Sequence, residues 1–151
     1  YNQCMNWTVY LSGEIHTSWR NLIFDGIKDL KLPIHVCTPV TDHEASDNCG
    51  ETALGTETQS FWKDHKAAKI NAMRTRKLID HADIVVIRFG EQYRQWNAAF
   101  DAGYATAKGK TIITLHPEEH DHALKEVDAA ALAVARTPEQ VVKILKYVTS
   151  S

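Results

Sequence analysis

Hydrophobic positions in this chain come in two patterns, short dense runs and longer stretches at helical spacing, and the two alternate. Trp7-Thr8-Val9-Tyr10-Leu11 is β-branched and aromatic and runs into Ser12-Gly13, which predicts a first strand stopping there. From Thr17 onward Trp19, Ile23, Ile27 and Leu30 recur at helical spacing, Leu32-Pro33 closes the pattern, and Ile34-His35-Val36-Cys37 reads as a second strand. Helix resumes over about residues 60–81. Residues 82–89, ADIVVIRF, form a near-continuous apolar run, as expected of a central parallel strand covered on both faces, and Gly90 ends it. Over residues 95–108, Trp96, Ala99, Phe100, Gly103, Tyr104 and Ala107 share one helical stripe, and Gly109 stops the helix before a fourth strand at 111–115. A short helix near 123–130 leads to a fifth strand at 132–135. Thr137 as N-cap, Pro138 at the first helical position and Gln140 reaching back predict a capping box for the last helix.

Residues 38–60 break this rhythm. They lose hydrophobic periodicity and are rich in Asp, Glu, Thr, Ser, Asn and Gly. A connection this long inside a domain is uncommon and is either a functional loop or conceals a short helix; it reads as a binding loop or lid. Strands alternating with helices predict a parallel sheet with helices on both faces, a five-stranded three-layer αβα sandwich. The 151 residues, 44% of them hydrophobic, suit one domain from residue 5 onward. Residues 1–4 read as an expression remnant or frayed end.

Charge and cysteine usage narrow the partners. A net charge of -2 and a pI near 6.5 offer no general attraction to a nucleic acid polymer. The apolar runs at 84–87 and 129–135 are far shorter than the ~20 residues needed to span a bilayer, so no membrane partner is expected. Cys4, Cys37 and Cys49 are odd in number and lack C-x-x-C spacing, which fits a reducing cytoplasm without a signal leader.

In open parallel sheets, ligands bind outside the carboxyl ends of the strands. That edge receives Ser12, Gly13, Glu14 and His16 after strand one; Asp42, His43, Asp47 and Asn48 after strand two; Gly90, Glu91, Gln92 and Tyr93 after strand three; and His116 and Glu118 after strand four. Asp80 and Asp83 fall at the opposite edge, where capping is the expected role. G-x-S-x-G, G-x-G-x-x-G and the P-loop pattern are all missing, so serine hydrolase, dinucleotide and P-loop chemistries lose their main sequence support. The helix after the central strand carries one carboxylate, Asp101, among small and aromatic residues. Its place near the helix start favours the ionised form that a nucleophile needs, and Ala98, Ala102 and Ala105 leave room for a ligand or another chain.

Four segments carry a resemblance: Val9 through His16, Asp47-Asn48, Ala82 through Val86, and Gln95-Trp96-Asn97 through Lys110. On these the chain resembles the YtoQ-type branch of the nucleoside 2-deoxyribosyltransferase superfamily over residues 7–148. The resemblance implies a flavodoxin-like fold and a helix motif D-x-G-x-x-x-E-x-G-x-A whose Glu attacks the sugar's anomeric carbon. Alignment at Gly103 and Ala105 puts Asp101 at the nucleophile, Gln95 at the base-contacting Asp and Asn97 at the glycine, three departures from the motif. Asp keeps the charge and shortens the reach by one methylene. Tyr10 is expected to orient the nucleophile, and Ser12, Gly13, Glu14, His16, Arg20, Asp47, Asn48, Gly90, Glu91, Gln95, Trp96 and Asn97 to bind substrate.

The implied activity is cleavage or exchange of a nucleoside's N-glycosidic bond by a cytoplasmic homo-oligomer whose neighbouring chains complete each site. Hydrolysis of a nucleoside or its 5′-monophosphate is an alternative, with Ser12, His16 and Arg20 holding phosphate; a noncatalytic nucleotide-binding domain is another. No cofactor is expected. The histidines at 116, 120 and 122 invite a metal, but Pro117 and their mixed spacing favour a solvated loop, so no metal is expected either.

Overall fold

A computed structural model describes residues 6–150, and the β-branched runs form the strands expected of them. Strand β1 (Trp7–Gly13) leads to helix α1 (Trp19–Asp29) and strand β2 (Ile34–Cys37). Two consecutive helices follow, α2 (His43–Leu54) and α3 (Ser60–His81), before strand β3 (Ile84–Arg88) and helix α4 (Trp96–Ala107). Strand β4 (Thr111–Leu115), a 3₁₀ turn at Glu118–His120, helix α5 (Lys125–Ala130), strand β5 (Ala133–Ala135) and helix α6 (Pro138–Thr149) complete the order. All strand pairs are parallel in the order β2-β1-β3-β4-β5, so the winding reverses at β1 and β3. Residues 1–4 lie outside the described residues.

Because successive side chains in a strand point to opposite faces, each central strand feeds two cores. Val9, Leu11, Ile84, Val86 and Ile113 pack under α1 and α6 against Trp19, Ile23, Ile27, Val141 and Leu145. Tyr10, Val85, Ile87 and Ile112 face the other way, against Ile79 of α3 and Ala98, Ala102 and Ala105 of α4. The parity that sends Tyr10 toward α4 sends Ser12 there too. Small alanines let α4 lie close to the sheet, and that closeness sets the reach of its one carboxylate.

Most of the segment expected to be a binding loop or lid is helix α2. Asp42 caps α2 by accepting the Ala45 amide at 3.1 Å. Gly50 is buried against α3, where a Cβ would stand 2.5 Å from the Cβ of Lys66. Asn71 of α3 donates to the Ser46 carbonyl and hydroxyl, both at 3.1 Å. The helix docks through Ser46, Cys49 and Gly50, small residues that leave no apolar stripe to read in the sequence. At other boundaries the capping chemistry matches expectation. Gly109 ends α4 at φ 74°, with its own amide on Thr106 and that of Lys110 on Ala105 at 2.9 Å, a Schellman pattern. Thr137 accepts the Gln140 amide at 3.3 Å, whereas the Gln140 side chain takes the amide of Arg136, one residue before the expected one, at 2.7 Å.

Candidate active site

A cleft of about 890 Å³ opens between α3 and α4 above the carboxyl ends of β1 and β3. Asp101 and Tyr10 both line it. Ser12, fully buried, donates to Asp101 Oδ2 at 2.7 Å, so the strand parity described above joins β1 to α4 at the carboxylate. Burial raises the Asp101 pKa and the Ser12 hydroxyl partly offsets it. This reverses the expectation from the helix start: Asp101 lies in the second turn of α4, beyond the reach of the N-terminal partial charge, and desolvation wins.

The Tyr10 hydroxyl is the one buried side-chain polar atom without a hydrogen-bond partner among the described residues. Its pKa is pushed up to about 12, first by burial and then by Asp101, while the neighbouring Thr75 side chain, too poorly placed for a well-formed hydrogen bond, and Arg20 and Arg74 pull the other way. A buried, unpartnered hydroxyl costs about 1–3 kcal/mol, so its retention beside a carboxylate marks a place where a ligand atom would complete the bonding.

The substrate-binding set divides by placement. Gly13, Glu14, His16, Asp47, Gln95, Trp96 and Asn97 line the cleft. Trp96 is 73% exposed at its mouth. His16 packs on Tyr93 at 4.8 Å and near His43 at 5.9 Å, and His43 pairs with Asp47 at 2.8 Å, forming one rim. Glu14 is internally spent: it accepts the His16 and Thr17 amides, the Thr17 hydroxyl at 2.6 Å and Arg88 Nε at 3.3 Å. Burial works to raise its pKa, but those donors outweigh it and hold the pKa below the ordinary value.

Arg20 is not part of the cleft lining and borders a separate, smaller pocket with Ile15, Thr17 and Thr38. Its guanidinium donates to the carbonyls of Leu11, Glu14 and Gly13 at 3.0, 2.5 and 3.1 Å, and burial lowers its pKa to about 10. Trp19, beside it on α1, is buried with Nε1 on the Glu14 carbonyl at 2.7 Å. Asn48, Gly90 and Glu91 lie outside the cleft lining; Gly90 is held by Gln95 Oε1 at 2.9 Å, and Glu91 pairs with Arg88 at 3.4 Å. At the opposite edge Asp83 accepts the Thr8 amide at 2.8 Å and Asp80 the Tyr104 hydroxyl at 2.9 Å, so both are structural residues that link elements rather than cap a helix.

Sequence reasoning missed the α3 wall. Asp64, Ala68, Asn71, Thr75 and Ile79 recur at helical spacing and face the cleft, joined by Arg74, which donates to the Thr38 carbonyl at 2.9 Å. The available signal was a stripe of small and polar residues on a long helix, where a core-facing stripe would be apolar throughout.

The histidine segment is not a solvated loop at its start. His116 is fully buried, with Nε2 2.8 Å from Asp128 and Nδ1 2.8 Å from the Pro117 carbonyl. Thr114 also donates to Asp128, and Arg136 grips Asp121 with bonds of 2.5 and 3.1 Å. Donor atoms of His116, Asp121 and Asp128 lie within 4.8 Å of one another. The Arg136 guanidinium neutralises that group as a salt-bridged network, and a cation there would have to displace it.

Parallel strands in this order, with a carboxylate-bearing cleft at the reversal between β1 and β3, define a flavodoxin-like α/β protein. The chain belongs to the Nucleoside 2-deoxyribosyltransferase YtoQ family, which it matches over residues 10–149. It is 46% identical over 143 residues to the uncharacterized protein YtoQ of Bacillus subtilis strain 168, covering 95% of this chain and 97% of that one. Solved structures share the fold at low identity. A conserved protein from Enterococcus faecalis V583 superposes with a TM-score of 0.66 at 14% identity, over 95% of this chain and 99% of its own. A 2-deoxyribosyltransferase from Bacillus psychrosaccharolyticus gives 0.57 at 18% identity, over 89% and 90% of the two chains. The CMP N-glycosidase BcmB of Clostridium botulinum gives 0.53 at 14% identity, over 93% and 98%. Among the described residues no helix is long and apolar enough to cross a membrane.

Proposed function

We propose that this protein cleaves or exchanges the N-glycosidic bond of a nucleoside, with Asp101 as nucleophile. The observation that carries the reading is a desolvated carboxylate held by a buried hydroxyl in an open cleft, at the position to which the sequence resemblance assigns the attacking group. As the bond to the base lengthens, the sugar gains oxocarbenium character; the Asp101 carboxylate bonds to the anomeric carbon while the base leaves with the bond's electron pair and takes up a proton. A second base then displaces Asp101 in a transferase, and water does so in a hydrolase. Ser12 fixes the carboxylate's direction, and the Tyr10 hydroxyl completes its bonding when the sugar arrives. Trp96 at the mouth offers a face to the base, with Gln95 and Asn97 on the same turn of chain.

Exposed Trp96 and Phe100 on the cleft side of α4 suit cover by a neighbouring copy, and a cytoplasmic homo-oligomer is part of the same reading. The decisive assay incubates wild type and Asp101→Ala with deoxynucleosides, ribonucleosides and their monophosphates, with and without an acceptor base. Base exchange only with acceptor identifies a transferase; base release without it identifies a hydrolase. Binding without either identifies a noncatalytic domain, and equal product from both proteins removes Asp101 as nucleophile.

Tyr10→Phe separates stability from function. Removing a buried hydroxyl that makes no well-formed hydrogen bond is expected to leave the protein as stable or more so by about 1 kcal/mol, since at most a poorly aligned contact with Thr75 is lost. Turnover is expected to fall roughly 10- to 100-fold. Thermal melts and initial rates on the same preparation check both halves.

A further inference from the structure

The histidine-bearing turn after β4 is absorbed by neither the sheet nor the cleft chemistry, yet it is pinned at both ends. His116 is locked to Asp128 at one end and Asp121 to Arg136 at the other. Between those anchors, His120 Nε2 stands 3.1 Å from the carbonyl oxygen of Gly90. The Gly90 amide is bonded on its other side by Gln95 Oε1 at 2.9 Å. A carbonyl only accepts, so His120 must donate from Nε2. Side chains thus hold both peptide groups of Gly90, the pivot between β3 and α4. Gly90 also packs so tightly on Glu14 that a Cβ would come within 2.8 Å of Glu14 Cγ.

The segment after this pivot contributes Tyr93, Arg94 and Gln95 to the cleft wall. Among the described residues its backbone bonds run only forward into α4, from Trp96 to Arg94 and from Ala99 to Gln95. Its height above the cleft is set at Gly90, by the Arg88 contact to Glu91 and by the packing of Tyr93 on His16.

We propose that His120 is a positioning residue, tethering the β3–α4 segment through the Gly90 carbonyl so that Tyr93, Arg94 and Gln95 stand where a nucleoside's base or sugar meets them. The role in substrate binding rests on the glycosidic reading; the tether itself does not. Trypsin reads the tether directly, because the Arg94–Gln95 bond lies in the held segment. His120→Ala is expected to speed cleavage at that bond roughly tenfold, with other tryptic sites and Tm little changed, and His120→Gln, whose amide can donate from a similar place, recovers much of the protection. Unchanged cleavage, equal acceleration at every site, or no recovery with Gln would each overturn the proposal.

On any nucleoside the panel shows to be turned over, His120→Ala is expected to raise KM roughly tenfold while kcat stays within about threefold. A fall in kcat at unchanged KM would overturn the positioning role. A panel without turnover would defeat the glycosidic reading instead, and the cleavage ratio would still decide the tether.

Discussion

Asp101→Asn is expected to lower turnover by roughly 10³- to 10⁴-fold while making the protein harder to unfold at neutral pH. Asn keeps the shape and can still accept from Ser12, so the loss is one of charge and nucleophilicity, not of packing. Burial raises the folded pKa of Asp101 above the ordinary 3.8 at which the unfolded chain titrates. Below 3.8 both states carry the neutral acid and the wild type has its full stability. As pH rises through the folded value, the native state must hold a buried charge and that stability is lost. Asn suffers no such loss. The gap in Tm between variant and wild type should therefore widen in favour of Asn from about pH 4 to about pH 8. The same ionisation gives wild-type turnover an acid limb at higher pH than an exposed aspartate would produce. Melting curves at both pH values and a rate profile check the pair; a gap that narrows with pH would mean the carboxylate is stabilised in its charged form.

The opposition between those two effects also explains what the sequence could and could not disclose. Strand identity was legible because Val9, Val85, Val86 and Ile112 are buried by runs that no helix would pattern in this way, and the caps at Gly109 and Thr137 are local chemistry. Asp101 was legible as a lone carboxylate on an otherwise small and aromatic helix. Its electrostatic state was not, since desolvation depends on Tyr10 and the cleft walls, residues far away in sequence. Glu14 and Arg20 were nominated by position at a strand end, which cannot reveal that their polar atoms are consumed by neighbouring amides, carbonyls and Arg88. Helix α2 escaped because its contact surface is Ser46, Cys49 and Gly50, and a hydrophobic pattern cannot report packing made through small residues. The cleft wall on α3 escaped for the complementary reason: polar residues at helical spacing look like a solvated face unless a cavity is known to lie against them.

Gly13→Ala is expected to cost about 3 kcal/mol and ~6–12 °C in Tm. Gly13 ends β1 at φ 109°, a conformation that strains any residue with a side chain. A Cβ there would also stand 2.2 Å from the carbonyl oxygen of Arg88 and 2.8 Å from its amide nitrogen. Both are backbone atoms of β3, and the Arg88 carbonyl already accepts the Glu14 amide at 3.1 Å, so neither strand can yield without opening the β1–β3 ladder where the cleft begins. The functional consequence follows from one residue of separation. Ser12, immediately before Gly13, is fixed to Asp101 at 2.7 Å by the register that the methyl would disturb. Activity should therefore fall further than the folded fraction does, and assays well below the melting transition separate the two. Equal losses of activity and folded protein would show that the β1 terminus supports the fold without directing the carboxylate.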